Sequence, residues 1–253
     1  MTSNPQPNPS TRHGEVEPDT PPQGLTIVPV LDVGEIAPGD DLAGMLADLA
    51  PMHDHDVLVV TQKVVSKAEG QVVPIDTTDS RGHKAIVEDE SVRILRRRGE
   101  LIISETKHGF ICANAGVDLS NIEAGHAALL PVDSDRSARR IRDVVRAKQG
   151  VEIGVIISDT FGRPWRRGVT DVAIGCAGIG PILDLRGTND ALGRELQVTE
   201  VAIIDEIAAA ADLVMGKSAG YPAAIVRGIP RSWFRRGSVA NDIVRSPNDD
   251  LFR

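Results

Sequence analysis

Runs of β-branched and other apolar residues predict the strands of this chain. The clearest are Val57–Thr61 and Val155–Ile157, and the second of these leads directly into the polar residues SDT. Their continuous apolar character indicates buried strands. Further strands are predicted at 25–30 (LTIVPV) and 223–228 (AAIVRG), and the runs LIIS and GFICANAGV, separated by ETKH, predict a hairpin or two neighbouring strands.

Apolar residues at helical spacing predict the first two helices. The segment DDLAGMLADLA has this spacing, with Asp40 as a suitable N-cap. The pattern changes again after VLVVT, so a strand-to-helix junction is expected near Gln62 and a stop at Gly70. Lys63 and Lys67 would then lie one helical turn apart.

Three later stretches also have helical periodicity. The first runs from Asp79 to Arg98, and its three final arginines would complement a helix C-terminus. Ser134–Gln149 is predicted as an amphipathic helix with a basic, solvated face. Thr199–Met215 is nearly apolar all round, which indicates a helix buried on most of its circumference.

Strands and helices mix along the chain without strict alternation, and no internal repeat is apparent. The pattern therefore predicts an α+β, or mixed α/β, fold with mixed sheets. Residues 1–24 contain six of the sixteen prolines and almost no large apolar residue. We expect them to form a disordered tail, followed by one domain over residues 25–253.

Composition and charge exclude several classes of protein. The 253 residues carry a formal charge of −8, with 41% hydrophobic and 25% charged residues, which is typical of a globular protein and argues against general nucleic-acid binding. No apolar run approaches the ~18 residues of a membrane helix, and the N-terminus lacks a signal-peptide pattern, so we expect a cytoplasmic location. Cys112 and Cys176 lie far apart in apolar contexts, which favours buried free thiols.

Common nucleotide-binding motifs are not present. Gly216-Lys217-Ser218 resembles the end of a P-loop, but a P-loop requires a glycine where Ala211 stands. The segment GCAGIG has the wrong spacing for a dinucleotide-binding turn. HExxH, CxxC and GxSxG are also missing, which argues against nucleophilic serine or thiol chemistry.

Acidic residues placed directly after apolar strands are the strongest candidates for chemistry. Asp118 lies in NAGVDLSN and Asp159 in IISDT. With the hydroxyl of Thr160 and the amide of Asn121, they offer hard oxygen ligands suited to Mg²⁺ or Mn²⁺ bound with phosphates. The alternative is that each aspartate is only a turn or N-cap residue.

Several basic residues are candidates for binding anions. Lys67 could meet phosphate charge, although helical lysines are usually solvated. Arg163, Arg166 and Arg167 lie in the loop FGRPWRRG, where a guanidinium could hold a carboxylate or a phosphate. The alternative is a surface loop salt-bridged to Asp171. His108 is interpreted as a turn residue.

Taken together, these residues resemble a known family, the coenzyme F420:L-glutamate ligases, which add γ-linked glutamates to a deazaflavin coenzyme. The similarity covers residues 25–253, and several long strings recur in the same order. The matching segments are VVTQKVVSKAEG, NAGVDLSN, IISDTFGRPWRRGVTDVAIGCAG, GRELQVTEVAIIDEIAAAADLVMGK and AAIVRG. Actinobacterial members carry a nitroreductase-like domain after the equivalent of NDDLFR.

The resemblance implies a GTP-dependent ligase that uses two Mg²⁺ or Mn²⁺ ions and leaves K⁺ open as a further ion. It also implies a homodimer whose mixed α/β halves intertwine. In such enzymes the γ-phosphate passes to the terminal carboxylate of the acceptor, and the amine of glutamate displaces the resulting acyl phosphate. The expected partners are the deazaflavin precursor, L-glutamate and GTP, with no nucleic acid and no membrane.

The resemblance also implies roles for individual residues. Asp118 and Asp159 would be catalytic metal ligands, and Thr160 would be a ligand of the second ion. Our own inference is that Arg163 and Arg166 receive the anionic acceptor. The positions that match GTP-binding residues are Val33, Gly34, Glu35, Ile36, Gln62, Lys67 and Asn121, together with the loop from Met215 to Pro222, which includes Gly216 and Lys217.

Two positions depart from the family pattern. Lys217 stands where archaeal members carry an acidic residue after Met-Gly, so we expect it to contact phosphate instead of a metal ion. Gln62 replaces a small hydroxyl residue, which would weaken one hydrogen bond to GTP. Two other functions remain open: a non-catalytic nucleotide-binding module, and an amide ligase acting on another carboxylate acceptor.

Overall fold

The computed structural model describes residues 24–76, 78–217 and 219–250. The predicted tail lies outside these ranges apart from Gly24, and the domain over residues 25–253 stays a prediction. The helices are α1 (Leu42–Leu49), α2 (Gln62–Ala68), α3 (His83–Asp89), α4 (Ser134–Gln149), α5 (Ile203–Met215) and α6 (Val239–Asp242), with short 3-10 turns at Asn114–Gly116 and Arg231–Trp233. The strands are β1 (Thr26–Pro29), β2 (Val57–Thr61), β3 (Val72–Pro74), β4 (Ser91–Arg98), β5 (Leu101–Thr106), β6 (Ile111–Ala113), β7 (His126–Ala128), β8 (Gly154–Gly162), β9 (Val169–Ala177), β10 (Leu183–Asp184), β11 (Glu200–Val201) and β12 (Ala223–Arg227).

A five-stranded sheet in the order β1-β12-β2-β8-β9 forms the centre of the molecule. Strands β2 and β8 are parallel, and the other three pairs are antiparallel. Three smaller antiparallel sheets are formed by β3 and β7, by β4, β5 and β6, and by β10 and β11. The prediction of a mixed α/β fold with mixed sheets is confirmed, and the homodimer stays a prediction.

Helices cover both faces of the central sheet. Side chains alternate along β2, so that Leu58 and Val60 pack with α1, α2 and α4, whereas Val57 and Val59 pack with α5. All four of these side chains are fully buried. The continuous apolar character of β2 follows from this arrangement, because a strand covered on both faces has no polar side to present.

Helix α4 shows how the sequence determines a local structure. Its N-cap Asp133 accepts a hydrogen bond from the backbone N–H of Arg136 at 2.8 Å, and Gly150 ends it in the left-handed conformation, with φ of 74°. The helix lies so close to β9 that a Cβ added at Gly175 would be only 2.3 Å from the backbone carbonyl carbon of Ser134. The predicted bounds of this helix are confirmed.

The buried carboxylate of Asp135 joins three elements near the start of α4. It accepts hydrogen bonds from the backbone N–H groups of Cys176 in β9 (2.8 Å), Val239 in α6 (2.9 Å) and Ala240 (3.2 Å). These bonds satisfy backbone donors that burial would otherwise leave unpaired. Asp135 therefore fixes α6 against the central sheet.

The helix predicted from Asp79 to Arg98 is wrong in its second half. Helix α3 ends at Asp89, where the hydroxyl of Ser91 donates to the carbonyl of Val87 at 2.6 Å. The residues that follow form β4, which pairs with β5 from Ser91↔Thr106 to Arg98↔Leu101. The final arginines therefore belong to a strand and complement no helix.

Three other predicted boundaries need correction. The N-cap of α1 is Asp41, not Asp40, and it accepts a hydrogen bond from the backbone N–H of Gly44. Helix α5 begins at Ile203, because Glu200–Val201 pairs with β10. The segment 173–177, where only a glycine-rich stretch was recognised, lies in β9.

The predictions for the two cysteines and for His108 are confirmed, and the prediction of two paired strands is confirmed in part. Cys112 and Cys176 are buried free thiols, and burial raises the pKa of each to about 12. His108 lies in a turn. The run LIIS lies in β5, but of the run GFICANAGV only Ile111–Ala113 forms a strand, β6, which pairs antiparallel with β5, whereas Asn114–Gly116 forms a 3-10 turn. Among the described residues, no helix has both the length and the apolar character needed to span a membrane.

Candidate active site

A cleft of about 830 Å³ opens where the parallel strands β2 and β8 end. The last pair of their register is Thr61↔Ser158, so the residues that follow each strand meet at the same edge of the sheet. Open α/β sheets commonly bind ligands outside these carboxyl ends. The lining consists of residues 34–36, 61–64, 67, 116–118, 120, 121, 158–160, 169, 171, 212, 215–217 and 220–222.

Asp118 lies on one wall of the cleft and is held in place by its neighbours. Its backbone pairs with Ala128, its Oδ1 accepts from the backbone N–H of Ser120 at 2.7 Å, and its Oδ2 lies 2.8 Å from the Lys63 ammonium. Partial burial acts to raise the pKa of Asp118, but the hydrogen bonds from Lys63 and Ser120 outweigh it and lower that pKa. Asp118 is therefore an ionised carboxylate at neutral pH.

Asp159 ends the buried part of β8 and has a different environment. Burial, together with the charges of Asp118 and Asp171, raises the pKa of Asp159 to about 7, against the backbone hydrogen bond from Thr160 and the charge of Lys217. The carboxylates of Asp118 and Asp159 are thus close enough to repel each other. Such a pair favours a bound cation, because the cation would offset both charges.

A second polar group lies beside Asp159, where β8 pairs with β9. Asp171 is 2% exposed, and its carboxylate accepts from the hydroxyls of Ser158 (2.9 Å) and Thr160 (2.6 Å). The Lys217 ammonium lies 3.0 Å from Asp171 and 3.3 Å from Asp212, and it donates to the Thr160 hydroxyl. The phosphate contact expected of Lys217 stays a prediction.

The remaining candidates for binding a nucleotide line the opposite part of the cleft. Lys67, on α2, forms an ion pair with Glu35 in the predicted turn, and Gly34 and Ile36 also line the cleft. Gln62 is 2% exposed, and its Oε1 accepts from Ser66 at 2.9 Å. Asn121 lines the cleft with a positive φ of 52°.

Three of the predicted site residues lie outside the lining of this cleft. Val33 is buried in the core beneath α1. Arg163 and Arg166 lie in the exposed turn between β8 and β9, where an Nη2–H of Arg163 donates to the carbonyl of Arg167 at 2.7 Å. Asp171 pairs with Lys217 and accepts from the hydroxyls of Ser158 and Thr160. The salt bridge between the arginine loop and Asp171, considered as an alternative from the sequence, is not seen among these described residues.

Sequence reasoning did not assign a role to Lys63, Asp171 or Asp212. Lys63 was noticed only for its spacing from Lys67, and it pairs with Asp118. Asp171 reaches the cleft because Thr160 and Asp171 are cross-strand neighbours, which requires knowledge of the register of β8 and β9. The signal that could have revealed Asp171 is a hairpin pattern, with two strands, β8 and β9, on either side of a short polar loop.

The donor groups of the cleft fit a hard divalent cation. Asp118 and Asp159 supply carboxylate oxygens, which Mg²⁺ and Mn²⁺ prefer. Within the described ranges, no three His, Cys, Asp or Glu side chains form a metal site by themselves. A cation at Asp118 and Asp159 would therefore take its other ligands from water and from the phosphates of a substrate.

Comparisons with known proteins agree with this geometry. A sequence model of the family described as F420-0:Gamma-glutamyl ligase matches residues 31–228, which include the whole lining of the cleft. Three curated relatives are named coenzyme F420:L-glutamate ligase. The relative from Methanopyrus kandleri is 43% identical over 246 residues, covering 90% of this chain and 98% of the relative.

Two further relatives carry the same name. The relative from Methanothermobacter thermautotrophicus is 39% identical over 250 residues, covering 91% of this chain and 99% of its own. The relative from Methanocaldococcus jannaschii is 40% identical over 220 residues, covering 80% of this chain and 86% of its own. With the family model and the relatives in agreement over most of its length, this chain belongs to the F420-0:gamma-glutamyl ligase family.

Proposed function

We propose that this protein joins L-glutamate by a γ-linkage to a precursor of coenzyme F420, in a reaction that consumes GTP. The carboxylates of Asp118 and Asp159, which line one cleft together with Lys63 and Lys67, are the observation that carries the proposal. The family and the names of its relatives support the ligase reaction and its substrates. The cleft volume of about 830 Å³ suits a ligand of nucleotide size.

In this proposal the triphosphate lies between the lysines and the paired carboxylates. Lys63 and Lys67 now pair with Asp118 and Glu35, and each ammonium is positioned to meet phosphate charge. Asp118 and Asp159 hold a Mg²⁺ or Mn²⁺ ion, which supplies Lewis-acid stabilisation of the charge that develops on phosphate. The turn at 34–36 and the backbone around Asn121 contact the nucleotide.

The proposed reaction has two steps. First, a carboxylate oxygen of the acceptor forms a bond to the γ-phosphorus of GTP, and the bridging bond to the β-phosphate breaks, so that GDP leaves. Second, the amine of glutamate forms a bond to the acyl carbon, loses a proton, and inorganic phosphate leaves. The protein mainly positions the reactants and offsets their charges.

The anionic acceptor would enter from the rim formed by the turn between β8 and β9. This turn adjoins Val169, which lines the cleft, and carries Arg163 and Arg166. The contact from Arg163 to the Arg167 carbonyl fixes the shape of the turn. We propose that its guanidinium groups receive the carboxylate or phosphate of the acceptor.

The test is mass spectrometry of the deazaflavin acceptor after incubation with the protein, GTP, L-glutamate and Mn²⁺, with GDP release measured in parallel. Addition of glutamate with matching GDP release would support the proposal. D-glutamate in place of the L-enantiomer is the matched control and should give no addition. GDP release without glutamate addition would contradict the proposed acceptor. The absence of both glutamate addition and GDP release would contradict the ligase reaction.

A further inference from the structure

The ammonium of Lys217 lies among oxygens from three different elements. Its partners are Thr160 in β8, Asp171 in β9 and Asp212 in α5. A lysine ammonium has three N–H donors, and here three side-chain oxygens are available to accept them. The arrangement therefore uses the full donor capacity of Lys217 within the protein.

The surrounding groups hold these oxygens in place. Asp171 also accepts from Ser158 and Thr160 and is 2% exposed, so its carboxylate cannot turn toward water without losing those bonds. Two carboxylates and a hydroxyl are the hard oxygen donors that a divalent cation takes. The single charge of Lys217 partly offsets the charges of Asp171 and Asp212.

We propose that the Lys217 ammonium stands in for a second metal ion, so that the cleft takes a single divalent cation, at Asp118 and Asp159. This inference deepens the proposed function and rests on it, since it concerns the ions of the same reaction. It replaces the expectation of two ions. It also assigns Thr160 to the lysine and not to a metal.

The lysine differs from a metal ion in two ways that matter for the reaction. It is covalently attached and always present, so it needs no loading from solution. It carries a single charge, which leaves the Asp171 and Asp212 pair with a net negative charge where a divalent ion would neutralise both. Lys217 is therefore a positioning residue for Thr160 and Asp171.

The experiment counts bound Mn²⁺ per chain by equilibrium dialysis and elemental analysis, with Mn²⁺ alone and with a non-hydrolysable GTP analogue. The wild-type chain should bind about one ion. Lys217→Ala frees the three oxygens and should raise the count to about two. Lys148→Ala is the matched control, because this lysine pairs with Asp48 on the surface, and it should leave the count unchanged.

Electron paramagnetic resonance of Mn²⁺ gives a second readout. The wild-type spectrum should be that of an isolated ion, whereas Lys217→Ala should show two coupled ions. Two ions in the wild-type chain, or no additional ion in Lys217→Ala, would overturn the inference. If circular dichroism shows that the variant does not fold, the wild-type count decides alone: one ion supports the inference and two overturn it.

The same samples separate this inference from the proposed function. Glutamate addition by a wild-type chain that binds two ions would leave the function intact and overturn the role of Lys217. The opposite outcome is also possible: the wild type binds one ion and Lys217→Ala binds an additional ion, but the wild type adds no glutamate. This result would support the role of Lys217 and contradict the ligase reaction.

Discussion

Consecutive residues at the end of β8 contribute to the site in different ways. Ser158 and Thr160, two positions apart, both donate to the carboxylate of Asp171 on the neighbouring strand. Asp159, between them, interacts with the charge of Asp118 across the cleft. Three consecutive polar residues within β8 thus supply both the support and the carboxylate that we propose to hold the cation.

Replacing Asp159 with a neutral residue should reduce activity without reducing thermal stability. We expect Asp159→Asn to reduce glutamate addition by at least about 100-fold, because a ligand of the cation is lost. Burial and nearby like charges disfavour the ionised carboxylate, so the metal-free variant should melt at the same temperature as the wild type or higher. Activity assays and thermal melting in a chelator measure the two effects.

The control for this variant is Asp184→Asn. Asp184 lies in β10, outside the cleft, and pairs with Arg186 at the surface. The activity of the Asp184→Asn variant should match that of the wild type. An Asp159→Asn protein that melts at a clearly lower temperature, or that retains full activity, would contradict the role given to Asp159.

At the scale of elements, local signals predicted some boundaries and missed others. Helix α4 carries its own start signal, Asp133, and its own stop signal, Gly150, so its bounds can be predicted from the sequence. The carboxylates Asp118 and Asp159 were likewise found because each follows an apolar run. The structure corrects one part of that prediction: β6 ends at Ala113 and a 3-10 turn precedes Asp118, so only Asp159 continues an apolar strand.

Strand β4, which the sequence pattern predicts as part of a helix, shows why some elements cannot be predicted from local sequence alone. The segment SVRILRRR satisfies helical periodicity, yet it pairs with β5. Ion pairs of Arg93 with Glu105 and of Arg97 with Glu88 contribute to this arrangement. These ion pairs join residues 12 and 9 positions apart, within the hairpin of β4 and β5 and from β4 to α3. Pairing between elements thus overrides a local helical pattern of this length. Asp171 and Asp212 were missed for the same reason.

The role of Asp135 gives a prediction about elements. Asp135→Ala should lower the free energy of unfolding by about 2–4 kcal/mol, because two buried backbone N–H groups, of Cys176 and Val239, and the partly buried N–H of Ala240 lose a charged acceptor. Chemical denaturation measures the change. Asp143→Ala on the exposed side of α4 is the matched control, and it should change stability by less than about 0.5 kcal/mol. Equal effects of the two substitutions would show that Asp135 does not anchor α6.

At the scale of the whole molecule, the cleft lies against its best-packed part. Strands β2 and β8 are covered on both faces by the clusters around α4 and α5. By contrast, the hairpin that carries β10 and β11 exposes Leu192 by 95% and Val198 by 84%. Strand β8 thus holds Asp159 in a well-packed sheet, while the segment around β10 and β11 has little packing to restrain it.

Hydrogen exchange should show this difference directly. Amides of β2 and β8 should exchange only through global unfolding, at least about 1000-fold more slowly than amides of the segment 185–198, once rates are corrected for sequence. Mass spectrometry of peptides from both regions measures the ratio. Similar protection in the two regions would contradict a stable centre with a loosely held hairpin.

The close approach of α4 to β9 has a consequence for how this sequence can change over evolutionary time. Any side chain at Gly175 would enter the space of Ser134, and one at Gly178 would meet the carbonyl of Ile153. A mutation at either glycine therefore requires a compensating shift of another element. The glycine-rich string that imitates a nucleotide-binding motif should persist among descendants of this chain through packing alone, even in a lineage that has lost the reaction.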